Sequence, residues 1–357
     1  MMGQSNITRV NRTKNLFLLG VLAILPAIAI STPSLLAANQ KDGNTKKKPQ
    51  PSTSRAELIS NMKSAVIQIS YKSDLPVPNP AKLSRDGLAG TGFLVSRDGY
   101  ALTAAHVIAE TKRQLQLNGA RDVRFFAGIS LDSASIPGRI ILLGSFSQIS
   151  CTVVEMDEAH DIAVLRLDQN PFSPLYRPTK GLGVSTMPVR VQTAGLQAEL
   201  PVEGAELLVS GYPLSFPTLV TQRGTVASLS FTLVEIEKPG ALSWFKFPAV
   251  ADQILADIVV NPGNSGGPFY QSDTGKVIGI CHGNLLSPVH LENGAIVQTQ
   301  DGGMTHTLEQ NSGLAVVLPI KYAIELLDKN KSLTNIDFPA GCPGSAFWYL
   351  GLGVLHS

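Results

Sequence analysis

Between about residues 57 and 330 the apolar positions mostly alternate with polar ones, in short runs bounded by glycine and proline. A period of two turns one side of each run toward a core and the other toward solvent, so these runs read as half-buried strands. Residues 90–107 are the clearest case. Two such runs flank Asp98-Gly99, and an Asp-Gly pair between apolar runs is a strong hairpin signal. The second run ends in the small residues Thr103-Ala104-Ala105, directly before His106. Another apolar run, Ile162-Ala163-Val164-Leu165-Arg166-Leu167, follows Asp161 and reads as a buried strand. Helical periods are confined to residues 58–65, the turn after His106, and a closing helix at 320–328. The pattern predicts an all-β chain. Roughly 280 residues remain for this folded part, enough for one all-β unit.

The N-terminus follows a different pattern. Arg9, Arg12 and Lys14 precede an apolar stretch, residues 16–30, that is short for a membrane span. Small residues follow and end in Ala37-Ala38, so residues 1–38 read as a Sec-type signal peptide. Leu36 is a poor residue three places before such a cut, which leaves an uncleaved inner-membrane anchor as the alternative. Residues 39–56 are rich in Lys, Pro, Ser, Gln and Asn and read as a solvated tether. Export to the periplasm or the extracellular space is expected.

The formal charge of +2 is unevenly spread. Residues 1–56 hold eight Lys and Arg and one acid, Asp42, so the remainder carries a net charge of about −5. No basic face for nucleic acid is implied. Three cysteines, 151, 281 and 342, leave at least one unpaired within the chain. Cys281 is expected as a buried thiol. No Cys/His pair has metal-ligand spacing, and neither a metal nor another cofactor is expected.

The segment Asn261-Pro262-Gly263-Asn264-Ser265-Gly266-Gly267-Pro268 carries the chemistry. Its glycines permit backbone angles that side chains forbid. Such a turn can aim the N–H groups of Gly263 and Ser265, on either side of Asn264, into one small space beside the Ser265 hydroxyl. Converging donors beside a serine oxygen make an oxyanion hole beside a nucleophile. The bland alternative is a surface turn with an inert serine. A serine nucleophile needs a base, and the base needs an orienting group. His106, among small residues at a strand end, is the candidate base. Asp161, at the threshold of a buried strand, is the candidate acid, because a carboxylate there needs a partner. His160 points to the opposite face of an extended chain, and Asp157 is the second choice of acid.

The order His106, Asp161, Ser265, with Thr103-Ala104-Ala105-His106, Asp161-Ile162-Ala163-Val164-Leu165 and Gly263-Asn264-Ser265-Gly266-Gly267-Pro268, resembles that of trypsin-like serine proteases, with the bacterial HtrA/Deg branch as the nearest likeness. Val209-Ser210-Gly211-Tyr212-Pro213 resembles the Gly-x-Pro turn that opens the second barrel in that branch, and Gln222-Arg223-Gly224-Thr225-Val226-Ala227-Ser228 resembles one of its strands. Residues 276–280 and 312–319 resemble its last two strands. The resemblance implies two antiparallel six-stranded, chymotrypsin-like barrels spanning about 57–337, at about 57–190 and 200–330 and meeting between about 177 and 202, with the triad in the crevice between them. It implies no cofactor and an exported serine endopeptidase acting on proteins or peptides through an acyl-enzyme, in protein quality control or processing. An oligomer is compatible with it. It places Val259, Val260, Ile280, Cys281, His282 and Gly283 along the substrate pocket. Nothing acidic occupies position 259, which disfavours a basic P1 residue and favours a small aliphatic one. Glutamate-specific relatives place a histidine one position before His282, which leaves a Glu preference open. The C-terminal part departs from the branch: residues 338–357 form an apolar tail, too short for a PDZ domain. Residues 237–253, with Trp244, Phe245 and Phe247, and residues 284–311, with His290 and His306, read as insertions. The rival reading is a catalytically silent fold of this kind used for binding or as a chaperone; an anchored structural protein is a third, with no specific feature behind it.

Overall fold

The computed structural model describes residues 54–76, 84–130, 146–180, 183–184, 191–216, 218–231, 253–301 and 304–330. The expected signal peptide, most of the tether, the 237–253 insertion apart from Gln253, Cys342 and the apolar tail lie outside these residues. Among the described residues, no helix is long and apolar enough to cross a membrane.

Six strands close the first barrel: β1 (Val66–Ser73), β2 (Asp86–Leu94), β3 (Tyr100–Ala104), β4 (Val123–Ser130), β5 (Phe146–Asp157) and β6 (Ile162–Leu167). They pair in the antiparallel order β1-β2-β3-β6-β5-β4. A two-stranded ribbon follows, β7 (Thr179–Lys180) with β8 (Gly183–Val184). The second barrel uses β9 (Glu206–Gly211), β10 (Val220–Phe231), β11 (Gln253–Asp257), β12 (Pro268–Gln271), β13 (Val277–Pro288) and β16 (Glu309–Pro319). Its order is β10-β11-β16-β13-β12-β9, and a separate ribbon pairs β14 (Gln298–Asp301) with β15 (Met304–Thr307). The predicted pair of six-stranded antiparallel barrels is therefore present.

Closed barrels leave no edge strand, and their inward side chains fill the interior. Ile67, Ile69, Phe93, Leu102, Val164 and Leu165 are fully buried in the first barrel; Leu207, Val209, Ile254, Phe269, Ile278 and Val317 are buried in the second. Cys151 and Cys281 are free, buried thiols. Burial, with a contribution from the charge of Asp168, pushes the Cys151 thiol up to about 12.

Helices α1 (Arg55–Lys63), α2 (Ala105–Leu117) and α3 (Ile320–Lys329) fall where helical periods occur. Ser54 caps α1 by accepting from the Glu57 N–H at 3.2 Å, which starts the helix three residues before the apolar period does. In α3, Ile320, Ala323, Ile324 and Leu327 share one buried face at helical spacing. The 284–311 insertion differs from the expected loop. β13 and β16 continue past the barrel as a paired ribbon, out to Ser287 opposite Gln310 and Pro288 opposite Glu309. The barrel has already set the register of the two strands, and their ladder runs on past it.

Candidate active site

The ends of β3 and β6 set the first half of the site. Ala104 pairs with Ile162, so the chain segments just beyond them, Ala105-His106 and Asp161, leave the sheet side by side. α2 begins there without a side-chain cap on Ala104. Asp161 satisfies its first N–H groups instead: the Ala105 N–H donates to the Asp161 carbonyl at 3.0 Å, and the His106 N–H to Asp161 Oδ1 at 2.7 Å. The other carboxylate oxygen, Oδ2, lies 2.7 Å from His106 Nδ1. A carboxylate only accepts, so the ring presents its proton on Nδ1 and leaves Nε2 as the basic nitrogen.

Asp161 is buried and has φ +52°, one of two non-glycine residues in the left-handed region among those described. Aspartate tolerates this region better than most residues. Burial by itself would raise its carboxyl, but the charge and hydrogen bond of His106, and then those of His282, outweigh it and hold the group well below the usual carboxylate range.

Ser265 lies on the turn between β11 and β12. Gly263 has φ +100° and Gly266 φ +81°. A Cβ on Gly263 would sit 2.3 Å from the Tyr212 carbonyl, and one on Gly266 would sit 2.1 Å from Thr103 Oγ1. The N–H groups of Asn264, Gly266 and Gly267 are held by the carbonyls of Asn261, Cys281 and Asn264. Among the described residues, no internal acceptor takes the N–H of Gly263 or of Ser265. Asn264, expected beside the hole, is buried, and its side-chain amide donates to Gln222 at 3.2 Å. Ser265 Oγ donates to the His282 carbonyl at 3.1 Å.

Thr91, on β2 of the first barrel, joins the two halves. Its N–H donates to the Ser265 carbonyl at 2.9 Å, its hydroxyl donates to the Gly263 carbonyl at 2.6 Å, and Oγ1 accepts from the Tyr212 N–H at 3.1 Å. The side chain is fully buried. The sequence marks this threonine only as part of a Gly-Thr-Gly strand. Thr91→Val keeps the shape and removes the hydroxyl, leaving a buried carbonyl and N–H without that partner. A loss of about 1–3 kcal/mol of stability is expected, read as a lower midpoint in urea denaturation. An unchanged midpoint would show that Thr91 does not clamp the loop.

The expected pocket residues separate. Val259 is 48% exposed, and a Cβ at Gly283 would meet open space. Val260, Ile280 and Cys281 are buried in the hydrophobic core. His282 is buried with Nδ1 2.6 Å from Asp161 Oδ2. The second-choice acid, Asp157, is engaged by His160 at 2.7 Å, and the His160 ring stacks on Tyr322 of α3 at 4.0 Å. His106, Asp161 and His282 offer ligand atoms within 4.8 Å of one another, a grouping that sequence spacing alone does not reveal. Two short N–H···O bonds to Asp161 occupy the space between them.

The sequence pattern of the trypsin-like peptidase domain matches residues 90–280, more than half of the chain. A probable periplasmic serine endoprotease, DegP-like, from Pseudomonas fulva (strain 12-X) is 27% identical over 243 residues, which is 68% of this chain and 35% of that protein. A protein of the same description from Halomonas elongata is 25% identical over 67% of this chain and 34% of its own length. The chain thus spans about a third of the length of these relatives. A solved HtrA-type protease, AlgW with a decapeptide, aligns over 79% of this chain and 68% of its own at 19% identity, with a TM-score of 0.47. With the domain match running from the Gly90 strand through the Ser265 turn to Ile280, the chain belongs to the trypsin-like peptidase family.

Proposed function

We propose that the protein is an exported serine endopeptidase of the HtrA/DegP type that hydrolyses peptide bonds through an acyl-enzyme. The observation that supports it is the hydrogen-bonded connection from His106 through Asp161 and His282 to Ser265, across two barrels. In this reading the Ser265 hydroxyl turns from the His282 carbonyl toward His106. Its oxygen attacks the substrate carbonyl carbon as its proton passes to His106 Nε2. The carbonyl oxygen takes the charge, and the N–H groups of Gly263 and Ser265 receive it. His106 then gives the proton to the leaving amine, and the peptide bond breaks to leave an ester on Ser265. Water, deprotonated by His106, hydrolyses that ester and regenerates the hydroxyl. Asp161 holds the ring and balances its charge.

For the P1 side chain the reading is a small aliphatic group. The exposed flank of the site offers Val259 and the side-chain-free Gly283, and the engagement of His282 with Asp161 argues against its serving a P1 glutamate. A buried methylene contributes about 0.8 kcal/mol, whereas a basic side chain would lose hydration without a partner. In a peptide-library digest, cuts after Val, Ala, Leu or Ile should dominate. Dominant cuts after Arg, Lys or Glu would overturn this preference. For the triad itself, a fluorophosphonate should label the purified protein once, and mass spectrometry should place the adduct on Ser265. An adduct elsewhere, or none, would reject the assignment.

A further inference from the structure

Asp161 is held in a backbone conformation that few side chains favour, and the loop before it supplies much of the hold. The β5–β6 hairpin closes with Asp157 opposite Ile162, so residues 158–161 form its loop. The loop's own backbone bond is long: the Asp161 N–H reaches the Glu158 carbonyl at 3.4 Å. Asp161 nevertheless keeps φ +52°. A non-glycine residue in the left-handed region persists where its surroundings over-determine it. The bonds to His106 and His282 fix its side chain. Its backbone is fixed through the preceding residue, His160.

His160 is held at three points. Its N–H donates to Asp157 Oδ1 at 3.1 Å, and its Nδ1 lies 2.7 Å from Asp157 Oδ2. Its ring lies on that of Tyr322, with 4.0 Å between centroids and 23° between planes. Stacked aromatic rings attract beyond the area they bury. Tyr322 is a fixed platform, because α3 buries Ile320, Ala323, Ile324 and Leu327 on either side of it in the chain. The Lys321 ammonium also lies 4.8 Å from the Tyr322 ring centroid. Burial raises the Asp157 carboxyl, but the side-chain and backbone hydrogen bonds of His160 outweigh it and hold the group below the usual carboxylate range. The proposed reaction has no step for this second His–Asp pair.

We propose that His160 is a positioning residue of the triad: clamped between Asp157 and Tyr322, it holds the 158–161 loop so that Asp161 keeps its left-handed backbone and aims its carboxylate at His106. The proposal rests on the triad reading above. Without the clamp, the Asp161 backbone is free to relax toward negative φ, the ordinary region for a side-chain-bearing residue. That rotation carries the Asp161 carbonyl and carboxylate off the first N–H groups of α2 and off His106 Nδ1 together. Triad geometry then depends on α3 through one aromatic pair. A plain packing contact between loop and helix would instead change stability and leave kcat alone.

The experiment measures peptide hydrolysis by His160→Ala, Tyr322→Ala, Tyr322→Phe and the double variant His160→Ala/Tyr322→Ala, with a urea midpoint for each. For His160→Ala, kcat is expected to fall about tenfold, part of the roughly 100-fold cost of a 1 Å misplacement, with KM changed less than about twofold. Tyr322→Ala should lower kcat about threefold, the size of one aromatic pair, and Tyr322→Phe, which keeps the ring, should stay within about twofold of the wild type. The double variant should be no slower than His160→Ala, because both residues act through one contact. Asp157→Asn keeps an acceptor for the His160 N–H, and His160 can take its other tautomer there, so a mild effect is expected. In proton NMR, the downfield Nδ1–H signal of His106 should move upfield in His160→Ala and Tyr322→Ala and hold its place in Tyr322→Phe. Lower urea midpoints with a wild-type kcat and an unmoved signal would overturn the proposal. So would equal losses in Tyr322→Ala and Tyr322→Phe, or losses that multiply in the double variant. If His160→Ala does not fold, Tyr322→Ala, which leaves His160 and Asp157 in place, decides by the same readouts. Fluorophosphonate labelling separates the two assignments. No adduct on Ser265 in the wild type would remove the triad and this proposal together, whereas a Ser265 adduct with an unaffected His160→Ala would remove only the role of His160.

Discussion

Ser265→Ala is expected to lower kcat by about a million-fold, the scale on which a triad nucleophile acts. The fold should survive. The substitution deletes one hydroxyl whose bond runs to the His282 carbonyl, while the backbone of the turn keeps its bonds to Thr91 and Asn261. A residual rate above the uncatalysed one should remain, because the N–H groups of Gly263 and Ser265 are untouched. Hydrolysis of casein or of a peptide substrate measures the loss, and circular dichroism checks the fold. Hydrolysis at the wild-type rate would end the assignment of Ser265 as nucleophile.

Asp161→Asn is the second large effect, a fall in kcat of about 10⁴-fold. Asparagine suits this position structurally, since it also accepts the left-handed backbone seen at φ +52°. Its carbonyl can still accept one N–H, as at the start of α2. Its amide N–H₂, however, cannot accept from the two Nδ1–H groups now directed at Oδ2. Either His106 takes the other tautomer and Nε2 is no longer basic, or a buried donor is left over. Asp157→Asn should be mild, because Asp157 serves His160 and not His106. Finding Asp157→Asn inactive and Asp161→Asn active in the same assay would move the acid to Asp157. The ionisation of Asp161 also predicts the pH response of stability. Its carboxyl is depressed in the folded state, so its contribution is present above the unfolded value of about 3.9 and fades as pH falls toward the folded one. Acid unfolding of the wild type should therefore be shallower above pH 4 than below it, and Asp161→Asn should reduce that difference, leaving the part due to the other carboxylates held low, such as Asp74 and Asp157.

Much of this protein is legible from local sequence. Short apolar runs cut by glycine and proline are a local property, and they mark the chain as all-β and place strands such as β3 and β6; the second-barrel strands are legible through the family resemblance of their segments. The Asp98-Gly99 hairpin delivers His106 to the end of β3. The glycines around Ser265 suit the turn itself, where φ is positive at 263 and 266, while the lack of room for a Cβ there comes from Tyr212, Thr91 and Thr103, far away in the chain. Tertiary structure decided the rest, through contacts between residues far apart in the chain. That Asp161 caps α2 depends on the pairing of Ala104 with Ile162, which local pattern does not contain. Thr91 became a clamp because the second barrel laid its loop against β2. The insertion at 284–311 became a ribbon because the barrel had already set the register of β13 and β16. Between Cys281 and Gly283 one extra residue shifts the register of β13 against β16, which local pattern does not contain. It is that single extra residue, His282, that turns from the expected pocket wall onto the Asp161 carboxylate.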